Sequence, residues 1–217
     1  MLVALGVAWY ARGSYDQAAQ YLGSASDLNP DNSTPYLFLG RMLSVETTLP
    51  PGAMERLARF AQLQPDNALA NYYYALALAK QAALAADSDT ERSARVESLL
   101  QKAVHLDPKL GAAHLQLGIL YSQRADFSSA ISEYQKGIAA GAENGETIEA
   151  AHYRLAQAYL RTGDKENAQQ ELKLHAQFMK QTKEDTVRER SEVQEFVISL
   201  RKSGEDVRPS HVPPPQP

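Results

Sequence analysis

The sequence predicts an all-α solenoid of about five helix-turn-helix units. Three observations lead there. A Leu-Gly or similar small-residue pair recurs along the chain, followed by an aromatic or leucine and later by a small residue and a second large one. The spacing is regular: Gly6 to Gly40 is 34 residues, and Gly40 to Ala75 is 35. Prolines close three of the units, at Pro30, Pro65 and Pro108. Periods of this length mark repeats that stack to bury a shared core.

The first unit starts almost at residue 1. Leu5, Gly6 and Trp9 lie on a first helix, and Gly13 suits the left-handed residue that ends it. Ser14 and Gln17 predict a capping box for the second helix, with Ala18, Leu22 and Ala25 facing inward. MLVALGVAWYA has no basic segment before it and is too short to span a bilayer, so a helix of the array accounts for it better than a leader does. In the second unit, Tyr36, Leu39, Gly40 and Leu43 define the first helix, with Ser33 or Thr34 as its cap and Pro35 in its first turn. Ala53, Leu57 and Phe60 define the second helix.

The third unit is irregular. Ala75 to Gly118 is 43 residues, and AKQAALAA carries the first helix past its usual stop, since alanine favours helix. Ser88-Asp89-Thr90-Glu91 predicts a capping box, and Val96, Leu100 and Ala103 face inward. Both helices of this pair should project a turn or two beyond the stack. In the fourth unit, Leu117 and Tyr121 share one helix face, and Gly118 and Ala130 are small where helices approach. Arg124-Ala125-Asp126 makes the turn, with Asp126 as cap. A loop is expected over 141–147. The fifth unit has Leu155, Ala156, Tyr159, Gly163, Asp164, Ala168, Leu172 and His175. No breaker then appears until Gly204. Either one helix runs from about Asp164 to Lys202, or it breaks near Thr182 to Asp185 and a second helix folds back. A terminal repeat needs its apolar face covered, which favours the break, with Val187, Val193, Phe196, Val197 and Leu200 as the capping stripe.

The run LQLGILYSQRADFSSAISEYQKGI from Leu115 to Ile138, with its echoes elsewhere, resembles the tetratricopeptide repeat (TPR) family over roughly residues 1 to 180. That resemblance implies a right-handed TPR superhelix, or α-solenoid, with repeats at about 1–32, 33–67, 68–110, 111–146 and 147–180. A C-terminal capping helix over 183–203 and a disordered, proline-rich tail over 204–217 complete the division. The family pattern would begin the first helix a little earlier, so the chain reads as cut from a longer array. Phe60 stands where the family has alanine, which implies a wider local gap filled by the ring.

The resemblance also implies a function: binding a peptide or amphipathic helix of another protein in the concave groove lined by the first helices. The register places Leu37, Phe38 and Arg41, then Tyr72, Tyr73 and Leu76, then Leu115, Gln116 and Ile119, then Tyr153, Arg154 and Gln157 on that groove. The lysine-asparagine clamp of chaperone-binding relatives is absent, with Val3 and Val7 at the corresponding places, and no asparagine ladder is present. An alternative is an accessory domain of a larger protein whose enzymatic or membrane part lies outside this chain.

Catalytic chemistry is not visible. There is no phosphate-binding loop, no HExxH and no cysteine, and no cofactor or metal is expected. His114 and His152 occupy one slot in adjacent repeats, where a packed residue is expected, and His175 falls in a packing slot. A net charge of −4 and a pI near 5.8 argue against a nucleic-acid partner. The compartment, cytoplasmic or extracytoplasmic, stays open. The first helix is apolar on nearly every side, which predicts self-association through the N-terminal face.

Overall fold

The computed structural model describes residues 1–45, 48–85, 90–141 and 145–205. Among these, ten helices pair in chain order: α1 (Leu2–Ala11) with α2 (Tyr15–Leu28), α3 (Ser33–Val45) with α4 (Ala53–Leu63), α5 (Ala68–Ala85) with α6 (Thr90–Leu106), α7 (Gly111–Gln123) with α8 (Phe127–Ala139), and α9 (Gly145–Thr162) with α10 (Lys165–Glu205).

The seam between paired helices is built by a missing side chain. A Cβ on Gly118 would overlap the Tyr134 ring, and one on Gly6 would lie 2.6 Å from Leu22. Tyr134 and Leu22 are fully buried at those contacts. The second pair solves the problem differently. Gly40 receives the ring of Tyr73 from α5, the next first helix, in the space its own Cβ would take. Within the pair, Phe60 stacks on Tyr36 with centroids 4.7 Å apart and planes 5° from parallel. The ring thus fills the space that the alanine-to-phenylalanine departure predicts. Around it, the Tyr36 hydroxyl donates to the Ser26 carbonyl and accepts from Arg59 Nε, while Arg56 and Arg59 both reach Asp27 at 2.7 Å. These bonds tie α4 to α2 and hold the Asp27 carboxyl below the usual range, the Arg56 hydrogen bond being the main cause.

The helix ends follow from a few side chains. Asp126 Oδ1 accepts from Ser129 N at 3.1 Å, as the sequence predicts, and Asp164 does the same for Asn167. The turn before Asp126 places Ala125 at φ 60°, left-handed backbone that costs an L-residue about 1–2 kcal/mol; the matching place in the fifth repeat is Gly163, at φ 85°. Ser14 heads α2 but its side chain makes no cap bond, so the Ser14–Gln17 capping box is not formed. At α3 the cap is Asn32, whose Oδ1 accepts from Thr34 N, rather than Ser33 or Thr34. The capping box at 88–91 falls partly outside the described residues; α6 begins at Thr90. So does much of the connector at 141–147, of which α9 claims the part from Gly145 onward.

The third pair is longer than the pairs on either side of it. α5 has 18 residues and α6 has 17, against 13 in each of α7 and α8. At 1.5 Å per residue that adds roughly 6–7 Å to each, more than one turn.

The C-terminal end corrects an expectation. α10 is continuous from Lys165 to Glu205, 41 residues, so no second helix folds back from a break near Thr182 to Asp185. The register shows how this end differs from the fourth repeat. Ile119, Ile131 and Ile138 of the fourth repeat pack beneath α9. Thirty-eight residues on stand Gln157, Gln169 and Ala176, all exposed. The slot above the fifth repeat is thus less apolar than the slot above the fourth, although Tyr153 and Leu172, the counterparts of Leu115 and Tyr134, are exposed there. No glycine or proline interrupts the chain between Gly163 and Gly204, so nothing stops the helix. At about 61 Å it outruns the 18-residue α9, about 27 Å, by half its length. The side chains of Val187, Val193, Phe196, Val197 and Leu200 and the tail beyond residue 205 lie outside what is described.

Gly118→Leu should therefore cost at least about 1–3 kcal/mol, because the leucine must enter the space of the Tyr134 ring. For a chain of this length each kcal/mol lowers the Tm by about 2–4 °C. A thermal melt that superposes on the parent's would refute the close seam.

Candidate protein-binding face

The first helices α1, α3, α5, α7 and α9 follow one another along one side of the stack. α1 packs on α3, α3 on α5, and α7 on α9; α5 and α7 hardly meet. Where they part, the lengthened α6 is left as a floor between them. The result is a cleft of about 690 Å³. Ala75, Leu76 and Ala79 of α5 form one wall, Ile119 and Leu120 of α7 the other, and Val96 and Leu100 of α6 the floor. Gln116, Gln123, Arg92 and Arg124 stand around it. The Arg124 guanidinium is held in place by Glu97 and by Ser93 Oγ at 2.9 Å.

The groove residues named from the register divide into four groups. Gln116 and Ile119, with Leu76, meet in the cleft. Leu37 and Arg41 lie toward the N-terminal side, Leu37 half-buried and Arg41 exposed with its guanidinium 5.6 Å over Phe38, whose ring meets Tyr10 edge-on at 5.1 Å. Tyr153, Arg154 and Gln157 lie toward the C-terminal side, all exposed, Tyr153 resting against His175 at 5.3 Å. The remaining three are core. Tyr72 and Tyr73 are 6% and 7% exposed and touch each other at 5.2 Å; burial, then Tyr73, pushes the Tyr72 phenol up. Leu115 is 7% exposed and packs with Ala130, Tyr134 and Leu155. The register rule assumes evenly spaced first helices. Here Tyr73 is drawn under Gly40 and Leu115 is covered by α9, so neither side chain reaches an open face.

Residues that sequence reasoning left off the face are the cleft's floor and far wall: Val96, Leu100 and Ala79, with Arg92 and Arg124 at the rim. The signal for them is the 43-residue spacing and the alanine run, which mark a lengthened hairpin beside a normal one.

His114 and His152 are tied down. His114 Nδ1 lies 2.7 Å from Glu133 and its Nε2 3.2 Å from the Pro108 carbonyl; His152 Nδ1 lies 2.6 Å from Glu171. Each pair bolts a first helix to its second helix, 19 residues on. Burial alone would raise the Glu133 carboxyl; hydrogen bonds from His114 and Lys136 outweigh it and hold the group below its usual range. Among the described residues, no cluster of three or more His, Asp or Glu side chains is placed to hold a metal, and no helix is long and apolar enough to cross a membrane.

No family model matches the chain, and no curated protein sequence matches it. Solved structures do. A thermophilic TPR protein of Thermus thermophilus, TTC0263, superposes with a TM-score of 0.63 at 21% identity, covering 89% of this chain and 97% of that one. The fold is that of the tetratricopeptide repeat. Two other TPR-like structures agree. MamA aligns with a TM-score of 0.59 at 21% identity over 84% of this chain and 92% of its own. Pseudomonas aeruginosa pilF aligns at 0.63 and 20% identity over 82% and 74%. At these identities the likeness is one of fold.

Glu133 makes this TPR stack sensitive to acid. Its lowered carboxyl contributes stability that is complete above the ordinary glutamate range, near pH 4.3, and is lost as pH falls through the lower native value. Glu133→Gln should cost on the order of 1–3 kcal/mol at pH 7. The gap between variant and parent should close as melts are taken from pH 5 to pH 3. A gap that stays constant over that range would mean that the carboxylate charge is not what His114 and Lys136 recognise.

Proposed function

We propose that this chain is a non-catalytic scaffold or adaptor that holds a peptide or an amphipathic helix of another protein on the concave groove lined by its first helices. The observation that carries this reading is the open apolar cleft between α5 and α7 on the row of first helices. Apolar grooves between helices receive amphipathic helices through residues spaced one turn apart. Exposed aromatic and arginine side chains, the types enriched at binding hot spots, flank it at Arg41, Tyr153 and Arg154. The TPR-like folds of TTC0263, MamA and pilF support a protein-interaction role in general terms. Leu37, Gln116, Ile119 and Gln157 complete the proposed binding set; Tyr72, Tyr73 and Leu115 support it from beneath.

Site-specific photo-crosslinking tests this without knowing the partner. A crosslinking residue at position 41 or 153 should capture a partner protein; one at Lys136, exposed on α8, should not. Arg41→Glu with Tyr153→Ala should then weaken that partner roughly tenfold or more. Capture from position 136 alone would move the site to the second helices.

A second reading is favoured by α1. Its residues Leu2, Val3, Leu5, Val7 and Trp9 point to every side, and Leu5 is 39% exposed where its counterpart in the next repeat, Leu39, is 1% exposed. An apolar face of this kind suits an interface, and the occupant we propose for it is a second copy of the chain. Light scattering over a dilution series should show a dimer that Leu5→Glu dissociates. A monomer at every concentration, or a Leu5→Glu variant as dimeric as the parent, contradicts it.

A further inference from the structure

We infer that copies of this chain join head to tail. The exposed side of α1 on one copy docks on the outer face of α9 and α10 of another, as α9 docks on the fourth pair. This rests on the self-association reading of α1 and names the surface that α1 meets.

The joint between the fourth and fifth pairs shows the contact. There α9 buries Leu155 and Ala158 in a layer with Leu115 and Tyr134. Both halves of that joint recur at the ends of the stack, open to solvent. α1 carries the same two residue types at the same spacing, Leu5 and Ala8, and both are exposed. Leu5 precedes Gly6 as Leu39 precedes Gly40 and Leu117 precedes Gly118. Leu39 and Leu117 are buried in that slot, grouped with Leu22 of α2 and Leu100 of α6 from the preceding pairs. At the other end, Tyr153 and Leu172 stand in the places of Leu115 and Tyr134 and are 45% and 39% exposed. Two turns further along the same helices come Leu160 and Met179, also exposed.

The face on α9 and α10 is open because of the fold. α10 continues as helix to Glu205, and among the described residues no element of this chain returns across it. Large apolar side chains gathered on one face are what soluble proteins cover. The occupant follows from the register: this is the face that a first helix covers elsewhere in the stack, and α1 is the first helix whose covering side is exposed. α1 holds no charged side chain, so docking it buries none of its own. Gln157 and Gln169, in place of Ile119 and Ile131, remove apolar area and make this joint weaker than the one inside the chain. The assembly is therefore reversible and set by concentration. An open head-to-tail contact leaves one α1 and one α9–α10 face unused at its ends, so it does not stop at two copies. The dimer of the self-association reading is the shortest member of the series.

The test uses the full chain in sedimentation velocity over a wide range of concentration. The parent should form a series of sizes that grows past the dimer as concentration rises. Leu5→Glu on α1 and Leu172→Glu on α10 should each raise the concentration needed for assembly at least about tenfold, since each puts a charge in the joint. Each variant keeps the half of the joint that the other has lost. Mixed in equal amounts, the two should form one-to-one dimers and nothing larger. Leu5→Gln and Leu172→Gln repeat the comparison if either glutamate variant loses its helical circular dichroism. Parent assemblies that stop at the dimer, a Leu172→Glu variant that assembles like the parent, or a mixture that stays monomeric would each overturn this inference. If Leu5→Glu still dissociates the parent's dimer in those cases, self-association through α1 stands as a contact of α1 with its own copy. A parent that is monomeric at every concentration refutes both.

Discussion

The close approach of paired helices at a residue without a side chain is the constraint on which the stack depends. At Gly118 and Gly6 the missing Cβ admits Tyr134 and Leu22, so two helices lie near enough to share one apolar layer. A helix pair of this size cannot bury its own outer faces; stacking does that. The His–Glu bolts of the fourth and fifth pairs and the Asp27–Arg56–Arg59 cluster between the first two add direction to contacts that burial alone would leave slippery. Their energetic weight is modest where they are exposed, and larger for the mostly buried His114–Glu133 pair.

The same constraint explains where the stack opens. Each regular repeat is held to the next through both of its helices. Between the third and fourth repeats only α6 keeps a substantial grip on α7, and α5 and α7 hardly meet. α5 and α6 are longer than α7 and α8 by more than a turn, and α5 has alanine at the seam where α7 has glycine. An interruption in a repetitive stack exposes the apolar layer that regular stacking would have covered. Binding sites on solenoids are made from such surfaces.

Much of this was legible in the sequence. The 34-residue spacing, the Leu-Gly pairs and the closing prolines require paired helices, and the cap at Asp126 and the left-handed turn at Gly13 follow from local chemistry. What was not legible is what depends on the distance between non-adjacent helices. Tyr73 was assigned to an open groove because the repeat register puts it there; it is buried because Gly40 of the preceding repeat leaves a hole of its shape. Leu115 was assigned likewise and is covered by α9. The unbroken α10 was open as an alternative. That Gln157 and Gln169 stand in place of Ile119 and Ile131 becomes visible only once the fourth repeat shows which positions its successor covers.

The most direct test of this account is native-state amide hydrogen exchange across the whole chain. Opening free energies in a stack report how firmly each repeat is held by its neighbours. With the thinnest pair-to-pair interface lying between the third and fourth pairs, the amides of α1 to α6 and those of α7 to the first half of α10 should exchange as two cooperative units. The boundary should fall in the connector at Asp107 to Leu110. A single unit spanning α5 to α8, or a boundary between α2 and α3 or between α8 and α9, would contradict the claim that the stack is weakest where its cleft lies.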